Sequence, residues 1–268
     1  VQVLGQGPAL WLLHGTGAAS HSWRHLLPLL AARHTLVVPD LPGHGFSGRL
    51  PAAQQSLPGS AAALAALAQA LALPPTAVAG HSAGAALAVR SVLDGHWPAV
   101  PLLGINAALL PFAGVAGQVL GPIARLLASQ PLLPWWFARR ARDGNAVRRL
   151  VAATGSTLDA EGLALYARLL RSPAHLAGAL AMMSDWDLRA LWAELPRLAS
   201  PLCLLVGSAD ATVPPAQAQQ VARRLHGTQV QVLPALGHLA HEEAPALVAA
   251  LLQRWLCQAG AVQASVVQ

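Results

Sequence analysis

The segment "TAVAGHSAGAALAV" (76–89) sets Ser82 between Gly80 and Gly84, after an apolar run and before a run of small helix-forming residues. A G-x-S-x-G spacing at such a junction fits a sharp strand-to-helix turn that exposes the serine hydroxyl. A hydroxyl is a poor nucleophile at neutral pH unless a neighbouring base takes its proton. Two later segments offer the missing groups. "GSADATVPP" places Asp210 just beyond an apolar strand-like run, and "ALGHLAHEEAP" places His238 directly after Gly237. Serine, aspartate and histidine therefore follow one another in chain order, each at the C-terminal end of an expected strand. In an open parallel sheet those ends converge on one crevice, where a carboxylate can orient the histidine that serves the serine. The loop "HGTG" (14–17) follows the first strong strand. Its backbone N–H groups can face a developing oxyanion, and the donors assigned here are those of Thr16 and Ala83.

Each position has a competing reading. Asp210 can instead cap the helix that begins near Pro214, and His241 is the rival of His238, although it is expected on the first turn of the last helix. Asn106 ends the preceding strand but carries no carboxylate. His14 and His81 are expected to shape loops through backbone hydrogen bonds, and Asp40, Gly43 and Gly45 to build a turn. Trp23 fits either a pocket floor or the core.

These groups need elements to hold them. "ALWLLHG" (9–15), "TLVVPD" (35–40), "TAVAG" (76–80) and "PLLGIN" (101–106) read as buried strands. Helical spacing covers 21–34, 59–73 and 83–94 between them. Strand–helix alternation stops at 107 and returns with "PLCLLVGSAD" (201–210), a helix at 214–226, "VQVLPALGH" (230–238) and a final helix at 243–257. Continuous apolar strands alternating with helices predict an α/β fold with a mostly parallel sheet covered on both faces. Residues 1–106 and 199–268 would form this core and 107–198 a helical cap inserted into it. Trp135, Trp136, Phe137, Met182, Met183, Trp186 and Trp192 would give the cap a large apolar lining. Arg139, Arg142 and Arg149 recur at helical spacing; they can hold carboxylates of a ligand, rest on anionic lipid, or form a solvated face.

Composition narrows the class. The chain has 268 residues, 54% hydrophobic and 10% charged, which excludes disorder. All 17 of its cations are arginine, and its net charge of +6 is concentrated in "RRARDGNAVRR" (139–149) with no nucleic-acid-binding motif beside it. Two cysteines, Cys203 and Cys257, make no disulfide framework and no metal-ligand spacing, so the expectation is an intracellular, cytoplasmic protein with two buried thiols. No basic, then apolar, leader opens the sequence. Charge-free stretches at 51–89 and 95–124 are broken by several prolines, as buried core segments are and membrane spans are not.

"HGTGAASHSW", "LVVPDLPGHGFSG", "GHSAG", "GSADATVP" and "GHLAHEEAP" together resemble the α/β-hydrolase fold superfamily over essentially the whole chain. With "INAALLPFAG" and "ARLLRSPAHLAGALAMMSDWDL" added, the sequence looks like the magnesium-chelatase accessory (BchO-like) subfamily of bacteriochlorophyll biosynthesis. That resemblance implies a pathway from protoporphyrin and its magnesium complex towards bacteriochlorophyll, with a porphyrin as the small-molecule apolar substrate and a magnesium-chelatase subunit as partner. The serine mechanism needs no cofactor, and the cap's arginines and aromatic residues would allow peripheral contact with the inner membrane. The resemblance implies no defined reaction. A serine hydrolase of a bulky apolar ester, a non-catalytic porphyrin-binding accessory and a generic short-chain esterase all remain open. Aspartate-dependent dehalogenation does not fit, because Ser82 stands at the nucleophile position. The superfamily usually begins with an extra strand pair, and only "VQVLGQGP" precedes the first strong strand, so the first strand is expected to be missing.

Overall fold

A computed structural model describes residues 1–111 and 144–266. Seven strands among them form one sheet: β1 (Gln2–Gly5), β2 (Ala9–Leu13), β3 (Thr35–Val38), β4 (Ala77–His81), β5 (Leu102–Ile105), β6 (Leu202–Gly207) and β7 (Gln229–Leu233). Their spatial order is β1-β3-β2-β4-β5-β6-β7, with β1 antiparallel to β3 and every other pair parallel. The chain steps outward from β2 to β3 and then returns to place β4 on the other side of β2. This reversal opens a crevice beyond the carboxyl ends of β2 and β4, the place where such sheets bind ligands.

The described helices are α1 (Leu27–Leu30), α2 (Leu57–Leu71), α3 (Ala83–Leu93), α4 (Gly144–Ala152), α5 (Ala160–Leu170), α6 (Pro173–Asp185), α7 (Leu188–Glu194), α8 (Ala216–Arg224), α9 (Ala240–Glu243) and α10 (Pro245–Val266). Successive strand residues point to opposite faces, so one apolar run feeds two cores. Trp11, Leu13, Val78, Leu204 and Val206 pack on the side of α2, α3 and α8. Leu10, Leu12, Ala79, Leu205 and Cys203 pack on the side of Trp23, Leu26 and α10. Between β5 and β6 the described residues include α4 to α7. A third cluster seats α4 and α5, through Val147, Val151 and Tyr166, on Ala18 and Leu239. Both of those residues belong to loops at the carboxyl edge of the sheet.

Some expectations change. The stretch 21–34 is a 3-10 turn (Ser20–Trp23) followed by the single turn α1, because Pro28 has no N–H to continue a helix begun earlier. "QVLG" (2–5) forms β1, an element not expected from its sequence. Gly5 and Gly7, both at positive φ, let this edge lie on the carbonyls of residues 31–34, where a Cβ would collide. Cys257 is exposed, whereas Cys203 is buried in β6 with its thiol pushed up to about 11 by burial.

The inserted helices are also tied to the core by charge. Arg24 Nη1 donates to Glu242 Oε2 at 2.6 Å, and the Tyr166 hydroxyl on α5 donates to Glu242 Oε1 at 2.7 Å. Burial pushes the Glu242 carboxyl up, while Tyr166 and Arg24 pull it back. Removing the cation from a buried pair is costly because the carboxylate is stranded. Arg24→Met is expected to lower unfolding free energy by about 3 kcal/mol at pH 7. The deficit should shrink as pH falls below neutral, because burial holds the Glu242 carboxyl above its ordinary range and a protonated carboxyl strands no charge; urea titrations at neutral and acidic pH check both points.

Candidate active site

Ser82 has φ 50° and ψ −115°, a conformation a non-glycine residue rarely adopts. Its backbone is held from three sides. The Ser82 N–H donates to Ile105 O at 2.9 Å, and its carbonyl accepts from Ala85 at 3.1 Å and Ala108 at 3.2 Å. The flanking glycines are steric necessities. A Cβ on Gly80 would press into the backbone of Gly84 and Ala85, and one on Gly84 into the carbonyls of Leu13 and His14. The start of α3 therefore lies directly against the end of β2, beside the 14–17 loop. The backbone N–H groups of Thr16 and Ala83 have no hydrogen-bond partner among the described residues. Two free donors at these positions are what an oxyanion requires.

Asp210 and His238 come together as their order in the chain suggested. His238 Nδ1 meets Asp210 Oδ2 at 2.8 Å. Asp210 Oδ1 accepts the N–H groups of Thr212 at 2.7 Å and Val213 at 2.9 Å. One oxygen thus braces the turn before α8 and leaves the other for the ring. No hydrogen bond joins the Ser82 hydroxyl to His238; such contacts often tighten only when substrate binds. His241 lies on α9 between the rings of Trp23 and His81, at 4.8 and 4.5 Å, with neither nitrogen hydrogen-bonded.

Residues without a motif do much of the positioning. Asn106, buried at φ 47°, donates from Nδ2 to the carbonyls of Gly237 at 2.9 Å and His238 at 2.8 Å. Its Oδ1 accepts the Gly207 N–H at 2.8 Å, so one amide joins the ends of β5 and β6 to the histidine loop. His81 Nε2 donates to the His238 carbonyl at 2.9 Å. From the inserted segment, the Thr154 carbonyl accepts from both Ala211 and His238, each at 3.2 Å. Ser156 Oγ accepts the Leu239 N–H at 2.8 Å. The aspartate and histidine loops are thereby fixed to one carbonyl. Sequence inspection missed this, because a carbonyl acceptor leaves no mark on residue type. The glycines did leave one: Gly155 and Gly237 are in contact, and a Cβ on Gly155 would strike Ala209.

The expected lining residues separate. Met182 on α6 and Trp186, the residue that follows its last turn, flank a narrow cleft that is open to solvent. The Thr16 hydroxyl donates to Met182 Sδ at 3.1 Å. Met183 turns outward and is half-exposed. Trp23 is fully buried in the layer beneath α10 and lines no part of this cleft, because the core on that face takes its whole ring. Trp192 packs against the other core and carries Arg224 over its ring. Trp135, Trp136, Phe137, Arg139 and Arg142 lie outside the described residues, and Arg149 is on α4. Among the described residues no helix is long and apolar enough to cross a membrane, and no group of three or more His, Cys, Asp or Glu residues is arranged to hold a metal ion.

Neutral histidines pin the loops around the site. His14 Nδ1 donates to Gly15 O at 2.8 Å, while its Nε2 accepts the Leu41 N–H at 2.9 Å. His175 of α6 accepts from Gly45 and donates to Gly17, both at 3.1 Å. Asp40 completes the turn by accepting the N–H groups of Ser20 at 2.8 Å and Phe46 at 3.0 Å. Burial and then the nearby His44 push His14 down to about 3; burial and then His238 push His241 to about 3; burial and then His175 push His44 to about 4.

Two outcomes follow. Asn106→Leu strands one N–H and removes the donor to two carbonyls, and should cost about 3 kcal/mol in urea unfolding; a change below about 0.5 kcal/mol would contradict the clamp. The second concerns pH. A depressed histidine contributes stability that is complete above 6.5, its ordinary value, and is lost as pH falls from there towards 3–4. Urea midpoints should be flat from pH 8 to 7 and begin to fall near 6.5, with each histidine adding up to about 1.4 kcal/mol per pH unit. An onset only below pH 5 would assign the loss to carboxylates instead.

Residues 12–251 match the model of the alpha/beta hydrolase family. The chain is 41% identical to the "Magnesium-chelatase 30 kDa subunit" of Rhodobacter capsulatus, over 93% of this chain and 87% of that one. It is 30% identical to the pimeloyl-[acyl-carrier protein] methyl ester esterase of Vibrio vulnificus, over 85% and 86%. An alpha/beta hydrolase fold protein from Burkholderia ambifaria superposes with a TM-score of 0.77 at 26% identity, covering 94% of this chain and 92% of that one. The expected fold and the resemblance stated on its motifs both hold: this chain belongs to the alpha/beta hydrolase family.

Proposed function

We propose that the protein is a serine hydrolase that cleaves a carboxylic ester of a bulky apolar molecule through an acyl intermediate on Ser82. The observation that carries this reading is the buried Asp210–His238 pair at 2.8 Å, set at the same sheet edge as the positive-φ serine. In this mechanism His238 Nε2 takes the hydroxyl proton as Ser82 Oγ attacks the ester carbon. The tetrahedral oxyanion is held by the N–H groups of Thr16 and Ala83. As it collapses, the C–O bond to the alcohol breaks and His238 returns the proton to the departing oxygen. Water then attacks the acyl-serine with His238 again as base, and Asp210 stabilises the imidazolium in both halves. Each oxyanion donor is worth about 3 kcal/mol of transition-state stabilisation. The methyl ester esterase relative supports an ester as the scissile bond, and the magnesium-chelatase relative supports a tetrapyrrole as the apolar body.

A second reading is favoured by the 41% identity to a protein named for the chelatase rather than for hydrolysis. Here the chain binds a porphyrin as an accessory to a magnesium-chelatase subunit and leaves it intact.

Labelling with a fluorophosphonate separates the two. One adduct by intact mass on the wild type, absent from Ser82→Ala, is the expected result, and Asp210→Asn should slow labelling at least about a hundredfold through loss of the tautomer that serves the hydroxyl. A folded wild type that forms no adduct yet binds porphyrin would replace the hydrolase with the accessory.

A further inference from the structure

The cleft beside Met182 has a composition that selects a ligand class. One side is the turn after β3 and the segment that follows it; the other is α6. The two approach closely because Gly43 and Gly178 touch through their backbones, where a Cβ on either would collide with the other. Leu50, Ala181, Met182 and Trp186 supply apolar walls, and Arg49 and Gln55 the polar end. Met182 is shared with the candidate oxyanion loop through its contact with the Thr16 hydroxyl at 3.1 Å. Met182 thus touches both the cleft and Thr16, and an unbranched thioether repacks readily.

Arg49, an exposed residue at the rim of the cleft, differs from the arginines held in ion pairs. Arg24 meets Asp159 and Glu242, Arg90 meets Asp94 and Glu194, and Arg197 meets Glu194. Arg49 instead donates from Nη2 to the neutral Gln55 Oε1 at 2.8 Å, and Gln55 is itself anchored by donating to Leu50 O at 2.7 Å. No carboxylate of the described residues pairs with it. A guanidinium has five N–H donors in a fixed fork, so Arg49, solvated and held by Gln55 rather than by a carboxylate, keeps donors for a bidentate carboxylate.

We infer that this cleft holds the part of the substrate remote from the scissile bond, and that Arg49 binds a free carboxylate there. Building on the Ser82 reading, it assigns the substrate class as a half-ester: an apolar body with one esterified carboxyl group and at least one ionised one. The ester carbon lies at Ser82 and the free carboxylate at Arg49, with Met182 displaced between them.

The test compares mono-p-nitrophenyl esters of butanedioic, hexanedioic and octanedioic acids with p-nitrophenyl alkanoates of matched length, on wild type and Arg49→Gln. The wild type should favour the half-ester in kcat/KM by about tenfold or more at one chain length, as a charge-assisted pair allows, with the gain in KM. Arg49→Gln should bring that ratio to one or below, and Arg49→Lys should restore part of it. A ratio unmoved by Arg49→Gln at every length, or an equal loss on both ester series, overturns the assignment. If neither series is hydrolysed and Ser82 takes no fluorophosphonate, it is the hydrolase reading that fails. Octanedioate binding by calorimetry then decides the cleft alone: at least about tenfold weaker binding by Arg49→Gln supports it, and equal binding overturns it.

Discussion

The organisation of this molecule depends on one backbone constraint, the left-handed turn at Ser82. A non-glycine residue at positive φ costs on the order of 1–3 kcal/mol and persists only where its surroundings over-determine it. Here they do. Strand β5 takes the Ser82 N–H and the segment after it returns a donor to the Ser82 carbonyl, while Gly80 and Gly84 remove the atoms that would prevent the helix from folding back. The same turn leaves the Ala83 N–H, at the start of α3, without a partner among the described residues and brings α3 against the end of β2. A strained turn, a free donor and a neighbouring loop with a second free donor are consequences of one geometry, and the order of β2 and β4 in the sheet makes it possible.

The loops around that turn are joined by an economical chemistry. This chain has no lysine and only 11 acidic residues, so few charged pairs are available to fasten its loops. Neutral imidazole fills the gap because it can donate from one nitrogen and accept at the other. His14 does this between Gly15 and Leu41, and His175 between Gly17 and Gly45. A proton on either ring would turn its acceptor nitrogen towards a backbone donor, which adds to the burial that already disfavours the charge. The fastening is therefore strong only while the rings are neutral.

What could be read from the sequence follows from which interactions are written in side-chain type. Continuous apolar runs located the strands from β2 to β7, and the order of Ser82, Asp210 and His238 placed all three at the carboxyl edge of the sheet, where Asp210 and His238 pair. The helix expected over 21–34 failed because the spacing of Trp23, Leu26 and Leu30 is satisfied equally by two short turns packed on the same face, and Pro28 selects the turns. β1 was missed because four residues with one half-buried side chain carry little pattern. Asn106 was set aside as a failed carboxylate, although its amide offers what a carboxylate cannot, a donor and an acceptor on one side chain. The exposed Cys257 and the core-bound Trp23 show the limit of composition alone: residue type biases burial without fixing which face of an element a position occupies.

The described part of the segment between β5 and β6 fastens the loops at the carboxyl edge of the sheet. Its Thr154 carbonyl and Ser156 hydroxyl hold the loops bearing Asp210 and His238, its His175 holds Gly17 and Gly45, and its Met182 meets Thr16. Every loop at the candidate site except the Ser82 turn itself is thus touched by a polar or sulfur atom from the insertion. The element expected to choose the substrate is also the one that sets the alignment of the groups expected to act on it. A ligand that shifts α6 by displacing Met182 must then pull on His175, about two turns earlier on the same helix, and through it on the loop that carries Thr16. The cleft proposed for recognition and the Thr16 N–H proposed for the oxyanion are therefore parts of one mechanical unit, and a ligand that fits the first acts on the second.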